Sequence, residues 1–473
     1  MSQGAFPYSF LRTTTTAAVH QRHEGLEPGG ETGTQESLAG RLMTTRSHGK
    51  VAFADLQDGS GRIQLFAQHG VLGDAGLDAF TQLNVGDIVG AEGEIVRTRR
   101  GELSLKVVNV VRLAPCTRSM PEKWHGVTDV ETRYRQRYLD LIVNPEATAA
   151  ITARAAANAA IRSFMADRGF LEVETPLLQP IASGAVAKPF VTHHNALDID
   201  LYLRIAPELF LKRLLIGGLE RVYELNRSFR NEGVSTRHNP EFTMLEAYEA
   251  YVDYSHTMTF VEDLVRAIVR EVTGSLRFTT ADVEIDVEPP FERISMFEAI
   301  ERAAGVDLLD VWTSGDGPAL ERAARDLDVS VAPGWPPGKV VASIYEDAAE
   351  KKLTGPVFVT GFPKDISPLA KDHRSIPGFT EHADLVIGGL EIAPVYSELN
   401  DPEEQRRRFE QQAAARTAGA DETLLPDADF LEALTYGMPP AGGFGLGVDR
   451  LLTLVLGVSS IREVIAFPTL KPQ

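Results

Sequence analysis

The sequence predicts an α+β protein in two parts, a small five-stranded β-barrel followed by a larger domain built on an antiparallel sheet flanked by helices. Three observations carry this. Short strand patterns separated by glycine-rich breakers recur between residues 38 and 113. An alanine-rich helical stretch then opens at Asn144-Pro145-Glu146. Beyond it, strand patterns joined by tight turns continue to a glycine-rich passage near residue 445. Strands that return through turns rather than through crossover helices give an antiparallel sheet.

Residues 1–36 are polar and turn-rich and read as an N-terminal extension. Strand patterns start at Leu38 and return at 51–56, 62–67, 88–97 and 103–113, with breakers at 59–61, 70–76 and 99–101. About five short strands within ~80 residues fit a closed barrel of the OB-fold kind, placed over 37–120. Residues 121–142 read as a connector, and 143–473 as the larger domain. Its first helix has an N-cap asparagine, a proline at the first helical position and an acid in the first turn. Ile151, Ile161, Phe164 and Met165 supply an apolar face, and Gly169 supplies the stop. Residues 170–174 return as a strand ending at Thr175-Pro176. Residues 221–229 and 242–248 read as strands around a polar loop, 231–240. Residues 280–360 mix helix and loop and resemble an insertion. Residues 383–387 and 390–399 form a hairpin pattern over Gly388-Gly389, a pair suited to a two-residue turn. A strand-to-helix passage, 442–456, follows.

Composition narrows the function classes. The 473 residues amount to about three domain lengths. The single cysteine, Cys116, excludes a disulfide framework and a four-thiolate metal site. The chain does not start with a basic-then-apolar pattern and carries no apolar run near ~20 residues, so a cytoplasmic protein without a membrane span is expected. The net charge of −19 argues against general nucleic-acid binding. Between residues 41 and 138, however, 14 basic residues face 11 acidic ones. The barrel is therefore where a polyanion would dock.

Alternate residues of a strand share a face. Phe242, Met244, Glu246 and Tyr248 point one way, as do Glu224, Asn226, Ser228 and Arg230 on the strand before. Carboxylates and an arginine aimed to one side of paired strands are costly unless something binds there. The loop from Arg230-Asn231-Glu232-Gly233 to Arg237-His238-Asn239-Pro240-Glu241-Phe242 adds cationic groups and one ring. That combination suits a nucleotide, with guanidiniums for phosphates and a ring for the base. Gly443-Phe444-Gly445-Leu446-Gly447 lets another group approach the backbone, and Arg450 follows at a helix start. No Gly-x-x-x-x-Gly-Lys-Ser/Thr segment is present, which excludes a P-loop.

Together, the helix-strand-Pro176 segment, the Phe229-Arg230-Asn231-Glu232 loop ending at Phe242 and the glycine-rich Arg450 segment resemble the three signature motifs of class II aminoacyl-tRNA synthetases. With the barrel in front, the chain is similar to subclass IIb. Residues 133–141, 192–197, 203–208, 229–244 and 459–472 resemble the bacterial lysyl-tRNA synthetases, and the likeness runs from about residue 8 to residue 472. The resemblance implies an OB-fold anticodon-binding domain and a class II catalytic domain. It implies ATP-dependent activation of lysine and transfer to tRNA(Lys), with ATP and Mg2+ as cofactors. The partners it implies are lysine or a lysine-like cationic amino acid, a tRNA, and a second copy in a homodimer that pairs through the segment ending at Pro176.

The resemblance also implies roles. Arg230 would hold the ATP α-phosphate and the amino-acid carboxylate and, with Arg450, carry catalysis. Phe242 would stack under the adenine with Arg450 on its other side. Arg237 and His238 would meet the outer phosphates, beside Glu232. Asp384 and Glu391 would bind Mg2+. Gly184 and Glu208 would receive the α-amino group, and Glu246, Tyr248 and Glu398 the side-chain ammonium, in a pocket that Pro394 and Tyr396 also line. In the barrel, Phe53 and Gln64 would contact anticodon bases, with Arg46 nearby. Physical chemistry agrees on two points. Joining a carboxylate to a phosphate brings two anions together, so positive charge is needed where they meet. A pocket with two carboxylates, a phenol and no matching cation favours a long cationic substrate.

The sequence departs from the family at several places. Residues 391–398 carry Pro394 and Val395 where the family usually has asparagine and a small residue. His382 and Ala383 stand where arginine and phenylalanine are common, Ser183 replaces a glycine, and Thr45 stands where a basic residue often precedes Arg46. Three readings follow: a drifted lysine enzyme, a paralogue adenylating another cationic amino acid for resistance or biosynthesis, and an inactive RNA-binding relative. Retention of Arg230, Phe242, Glu391 and Arg450 favours an enzyme. Glu391 is odd-numbered while Tyr396 and Glu398 are even-numbered, so one shared site requires a β-bulge or break within residues 391–395, where proline is tolerated.

Overall fold

The computed structural model describes residues 6–121, 127–181, 184, 187–332, 334–417 and 426–472, and the chain divides into two compact units, 1–127 and 128–473. In the first unit, β1 (Glu31–His48), β2 (Val51–Gln57), β3 (Arg62–Gln68), β4 (Ile88–Arg97) and β5 (Leu103–Ala114) close a barrel in the order β1-β2-β3-β5-β4. Alternation places Leu38, Leu42, Leu56, Leu65, Ile95 and Leu105 inside, all fully buried. Two expectations are corrected here. β1 begins at Glu31, within the presumed extension, and its first residues pair with β4 (Glu31↔Val96, Gln35↔Glu94). The extension also holds a short helix, α1 (Thr16–Arg22), capped by the Thr15 hydroxyl. The glycine-rich stretch expected to be a breaker is helical: α2 (His69–Thr81) buries Leu77 and Phe80, and Gly73 at φ 69° only kinks it.

In the second unit the presumed connector holds two helices, α3 (Val130–Arg135) and α4 (Arg137–Val143). Its residues 122–126 lie outside the described ones. α5 (Pro145–Asp167) follows and buries Ala157, Ile161, Phe164 and Met165. Asn144 has the extended N-cap backbone, but its side chain donates to Asp140 Oδ1 at 2.6 Å instead of capping the helix. β6 (Leu171–Glu172) is shorter than the expected strand. β7 (Leu178–Gln179), β8 (Val191–His194) and β9 (Ile199–Leu203) make a small sheet in the order β7-β9-β8. α6 (Glu208–Ile216), β10 (Arg221–Phe229), β11 (Glu241–Ala250) and α7 (Tyr254–Thr273) come next, then the hairpin β12 (Arg277–Thr280) and β13 (Val283–Asp286).

β14 (Glu292–Ser295) and β15 (Val357–Thr360) correct the insertion reading. They pair in parallel and join the main sheet beside β16 (His382–Ile387). Only the helices between them, α8 (Met296–Ala304), α9 (Leu309–Ser314), α10 (Gly317–Asp326) and α11 (Pro337–Ile344), form an appended layer with its own core of residues such as Phe297, Ile300, Leu320 and Val341. β17 (Leu390–Ser397), α12 (Pro402–Thr417), α13 (Ala428–Leu434), β18 (Ala441–Gly447) and α14 (Val448–Val455) complete the unit's main elements. The main sheet runs β14-β15-β16-β17-β18-β11-β10-β6 and is antiparallel except at its two edges. Gly388 and Gly389, at φ 60° and 70°, make the turn between β16 and β17.

The two faces of this sheet differ. Leu245, Ala247, Leu385, Val395, Phe444 and Leu446 share a core with Ile161 and Phe164 of α5, Val261 and Leu264 of α7, and Leu451 and Leu452 of α14. The other face carries the polar residues. β17 reaches both requirements through the expected bulge: Val386 pairs with Glu391 and Leu385 with Ala393, which leaves Ile392 as an extra residue. Ile392 and Ala393 both enter the core, and Glu391, Pro394 and Tyr396 face the other way.

Candidate active site

The polar face holds a cleft of about 760 Å³, open to solvent, lined by Arg230, Glu232, Arg237, His238, Phe242, Met244, Glu391, Pro394 and Arg450, among others. Arg230 directly follows β10, where its N–H donates to Pro240 O at 2.9 Å and closes the loop. Its guanidinium carbon lies 5.2 Å from the Phe242 ring centroid. The side chain forms no ion pair among the described residues, and its buried Nε has no hydrogen-bond partner. Burial lowers its pKa, and the Glu391 carboxylate opposes that shift. Arg450, on α14, donates from Nη1 to the Glu391 carbonyl at 3.0 Å and lies 3.3 Å from His238 Nε2 through Nη2. Burial first, then Arg450, push His238 below its ordinary pKa. Ser235 Oγ, 3.0 Å from His238 Nδ1, orients the ring.

A second cluster is acidic. Asp384 accepts from His382 Nε2 at 2.9 Å, and Glu350 accepts the Glu391 N–H at 2.9 Å. Burial and Asp384 raise Glu391, while burial and Glu391 raise Glu350 to about 7. Glu346, although exposed, is raised as well by partial desolvation and by Glu391, and the buried Tyr345 hydroxyl has no hydrogen-bond partner among the described residues. Such mutual repulsion among hard oxygen donors fits a divalent cation. Among the described residues no group of three or more His, Cys, Asp or Glu could hold a metal by itself. Asp384 and Glu391 could supply the one or two carboxylates that Mg2+ takes beside phosphate oxygens and water.

A third cluster on the adjoining strands gathers the residues expected to line the amino-acid pocket. Glu224 and Glu246 are register partners across β10 and β11. Arg204 pairs with Glu224 at 2.6 Å, whereas Glu246, only 4 % exposed, has neither hydrogen bond nor ion pair among the described residues. Burial, and then Glu208, push the Glu246 carboxyl up to about 8. Burial likewise raises the Tyr248 and Tyr396 phenols. Tyr396 stacks on His382 at 4.4 Å, which explains what the departure at 382 does in this chain. Gly184, at φ 96°, lies against Glu208: a Cβ there would be 3.7 Å from Glu208 Cβ. Ser183 is outside the described residues.

One expectation fails here. The pocket does hold a matching cation: Lys212 Nζ lies 2.6 Å from Glu208 Oε1 and 2.6 Å from Glu398 Oε2. Burial opposes the charge on Lys212, but the two carboxylates outweigh it and raise its pKa. Glu398 Oε1 is buried with no partner, and burial lifts this carboxyl to about 7. Gly443 makes room, since a Cβ there would collide with Glu398 Oε1 and the Tyr248 ring.

Residues 129–471 match the family of class II tRNA synthetases (D, K and N), and residues 37–113 match the OB-fold nucleic acid binding domain. The lysine--tRNA ligase of Moorella thermoacetica is 51 % identical over 472 residues, covering 99 % of this chain and 95 % of that protein. Those of Syntrophomonas wolfei and Xanthomonas oryzae are 50 % and 49 % identical, covering 92 % and 95 % of this chain and 88 % of each relative. The chain belongs to the lysine--tRNA ligase family.

Within that family frame, the barrel residues stand as follows. Phe53 stacks on Phe66 at 4.9 Å with an interplanar angle of 6°, and the Arg46 guanidinium lies 5.3 Å from the Phe53 ring. Gln64 is less available than expected: it is 6 % exposed and its Oε1 accepts from Ser104 Oγ at 3.0 Å. Thr45 is exposed beside them. Sequence reasoning missed Lys212, Glu346 and Glu350. For Lys212 a signal existed, because Glu208 and Lys212 are four apart on one helix. For Glu346 and Glu350 none did, since they belong to a region read as an insertion.

Proposed function

We propose that this protein activates lysine with ATP and transfers it to tRNA(Lys), using the sheet face just described. The observation that carries the reading is a complementary pair of defects on one face: among the described residues, the half-buried Arg230 forms no ion pair and its buried Nε has no partner, and the buried carboxylate of Glu246 forms no ion pair. A zwitterion with a second ammonium satisfies both. In this reading Arg230 neutralises the lysine carboxylate as one of its oxygens attacks the α-phosphorus, the α–β phosphoanhydride bond breaks and pyrophosphate leaves; no general base is needed because the carboxylate is already ionised. Phe242 and Arg450 sandwich the adenine, while Arg237, His238 and Glu232 meet the outer phosphates and their shell. Asp384 and Glu391 would hold Mg2+, which when bound neutralises phosphate charge. Glu208 and Gly184 receive the α-amino group, and Glu246, Tyr248, Tyr396 and Glu398 surround the side chain. Lysine-dependent ATP–pyrophosphate exchange across a panel of amino acids, followed by tRNA charging, tests the whole reading. Exchange driven best by another amino acid would select the paralogue, and no exchange with any would select the inactive relative.

Pro394 supports the paralogue reading, because it puts an apolar ring where a polar side chain would sit. Restoring one hydrogen bond contributes about 0.5–1.5 kcal/mol, up to about tenfold in affinity. Pro394→Asn should therefore lower the KM for lysine up to about tenfold if lysine is the substrate. An unchanged KM in steady-state exchange would remove Pro394 from the pocket's specificity.

The anticodon is read, in this proposal, by Phe53 and Arg46, with Gln64 contributing its amide nitrogen. Base stacking contributes about 1–3 kcal/mol per base. Phe53→Ala should therefore reduce kcat/KM for tRNA charging by about tenfold or more and leave exchange unchanged; equal loss in both assays would place Phe53 in a folding role.

A homodimer is proposed from the exposed Leu171, Leu177, Leu178 and Val191, an apolar set around the segment ending at Pro176. Light scattering at working concentration should give twice the 51.7 kDa chain mass, and a single-chain mass would sink the assembly. A cytoplasmic location is proposed as well. Among the described residues no helix is long and apolar enough to cross a membrane.

A further inference from the structure

We infer that Lys212 is a positioning residue that sets both the charge and the span of the amino-acid pocket. The inference rests on the pocket assignment above. Lys212 lies on α6 with its side chain 1 % exposed, and its Nζ bridges Glu208 and Glu398 at 2.6 Å each. It is fully buried, and the two carboxylates that it bridges are the groups assigned to the substrate.

Charge comes first. Glu208, Glu246 and Glu398 bring three negative charges, and Lys212 and Arg230 bring two positive ones. A lysine molecule adds two ammoniums and one carboxylate, which balances the set. Without Lys212 the occupied pocket keeps one uncompensated buried charge, and one carboxylate must take up a proton to relieve it. That carboxylate then no longer attracts an ammonium.

Geometry comes second. Each carboxylate commits one oxygen to Lys212 and keeps the other for the substrate; for Glu398 the free atom is Oε1, buried and unpartnered. The two oxygens on Lys212 can be no farther apart than twice 2.6 Å. The carboxylate for the α-amino group and one of those for the side-chain ammonium are thus held at a fixed separation by a common buried ion. A fixed separation measures the number of methylenes between the two ammoniums of a substrate. Lys212 thereby distinguishes lysine from its shorter homologue ornithine without touching either.

The test is exchange kinetics on the full chain with Lys212→Met, which keeps length and bulk and removes charge, run beside Glu246→Gln. Lys212→Met is expected to raise the KM for lysine at least tenfold, to leave the KM for ATP within twofold, and to narrow the lysine-over-ornithine preference in kcat/KM at least fivefold. A wild-type KM and preference in Lys212→Met, with a raised KM in Glu246→Gln, would overturn the role of Lys212 alone. Wild-type behaviour in both variants would overturn the pocket assignment instead. Should Lys212→Met fail to fold, the double variant Lys212→Met/Glu398→Gln restores charge balance and is expected to recover the lost thermal stability. No recovery would overturn the inference.

Discussion

Arg230→Ala is expected to slow lysine-dependent ATP–pyrophosphate exchange by about a thousandfold or more while leaving the melting temperature unchanged or slightly raised. The first half follows from the reaction. Removing one preorganised donor from a developing oxyanion costs about 2.7–4 kcal/mol, or ~10²–10³ in rate, and Arg230 serves two anions at once. The second half follows from the free protein. Arg230 has no ion-pair partner among the described residues and a buried, unpartnered Nε, so its removal costs no folded-state contact of that kind. Exchange near the wild-type rate would remove Arg230 from the reacting centre, and a large fall in melting temperature would make it a structural residue.

Gly443→Ala should raise the KM for lysine by about a hundredfold, which is about 2.8 kcal/mol of binding. The added methyl has nowhere to go. It meets Glu398 Oε1 and the Tyr248 ring, and those residues are only 2 % and 5 % exposed. Overpacking of this kind also destabilises folding by about 1–3 kcal/mol. Gly445→Ala, two residues along the same strand, is the control. Its added methyl meets the flexible end of Met244 at 2.9 Å and lies 3.7 Å from Glu246 Cγ. Gly445→Ala should change the KM by no more than a few fold. Equal effects in the two variants, measured by exchange and by thermal denaturation, would refute the packing account.

Much of the catalytic sheet was legible in the sequence because its strands alternate between a buried and a polar face. The strand 221–229 was read at its observed bounds, and parity required a bulge within residues 391–395 once the resemblance put Glu391, Tyr396 and Glu398 in one site. The Gly-Gly hairpin was legible because two adjacent residues must take positive φ. What escaped had weaker local signals. The start of β1 is polar because it pairs at the barrel's rim, so no apolar period marks it. α2 is rich in glycine and holds only through Leu77 and Phe80 packed on the barrel. β14 and β15 are four residues each, too short for a period to register. Glu246 and Glu398 were legible as unpaired acids on strands. The cation that governs one of them was not, because Lys212 reaches Glu398 across 186 positions of sequence, a distance no local pattern spans.

The extra residue in β17 also bears on how the chain can change length. Ile392 occupies no rung of its own between Glu391 and Ala393. Losing it would leave Glu391 and Pro394 on the polar side and Ala393 in the core, with a straighter strand. Losing Val395 instead would exchange the sides of Tyr396 and everything after it, turning a phenol and then a carboxylate toward the helices. Positions 392 and 393, two successive core residues, thus hold the spare link of this strand, where one codon can be dropped without turning the enzyme's pocket inside out.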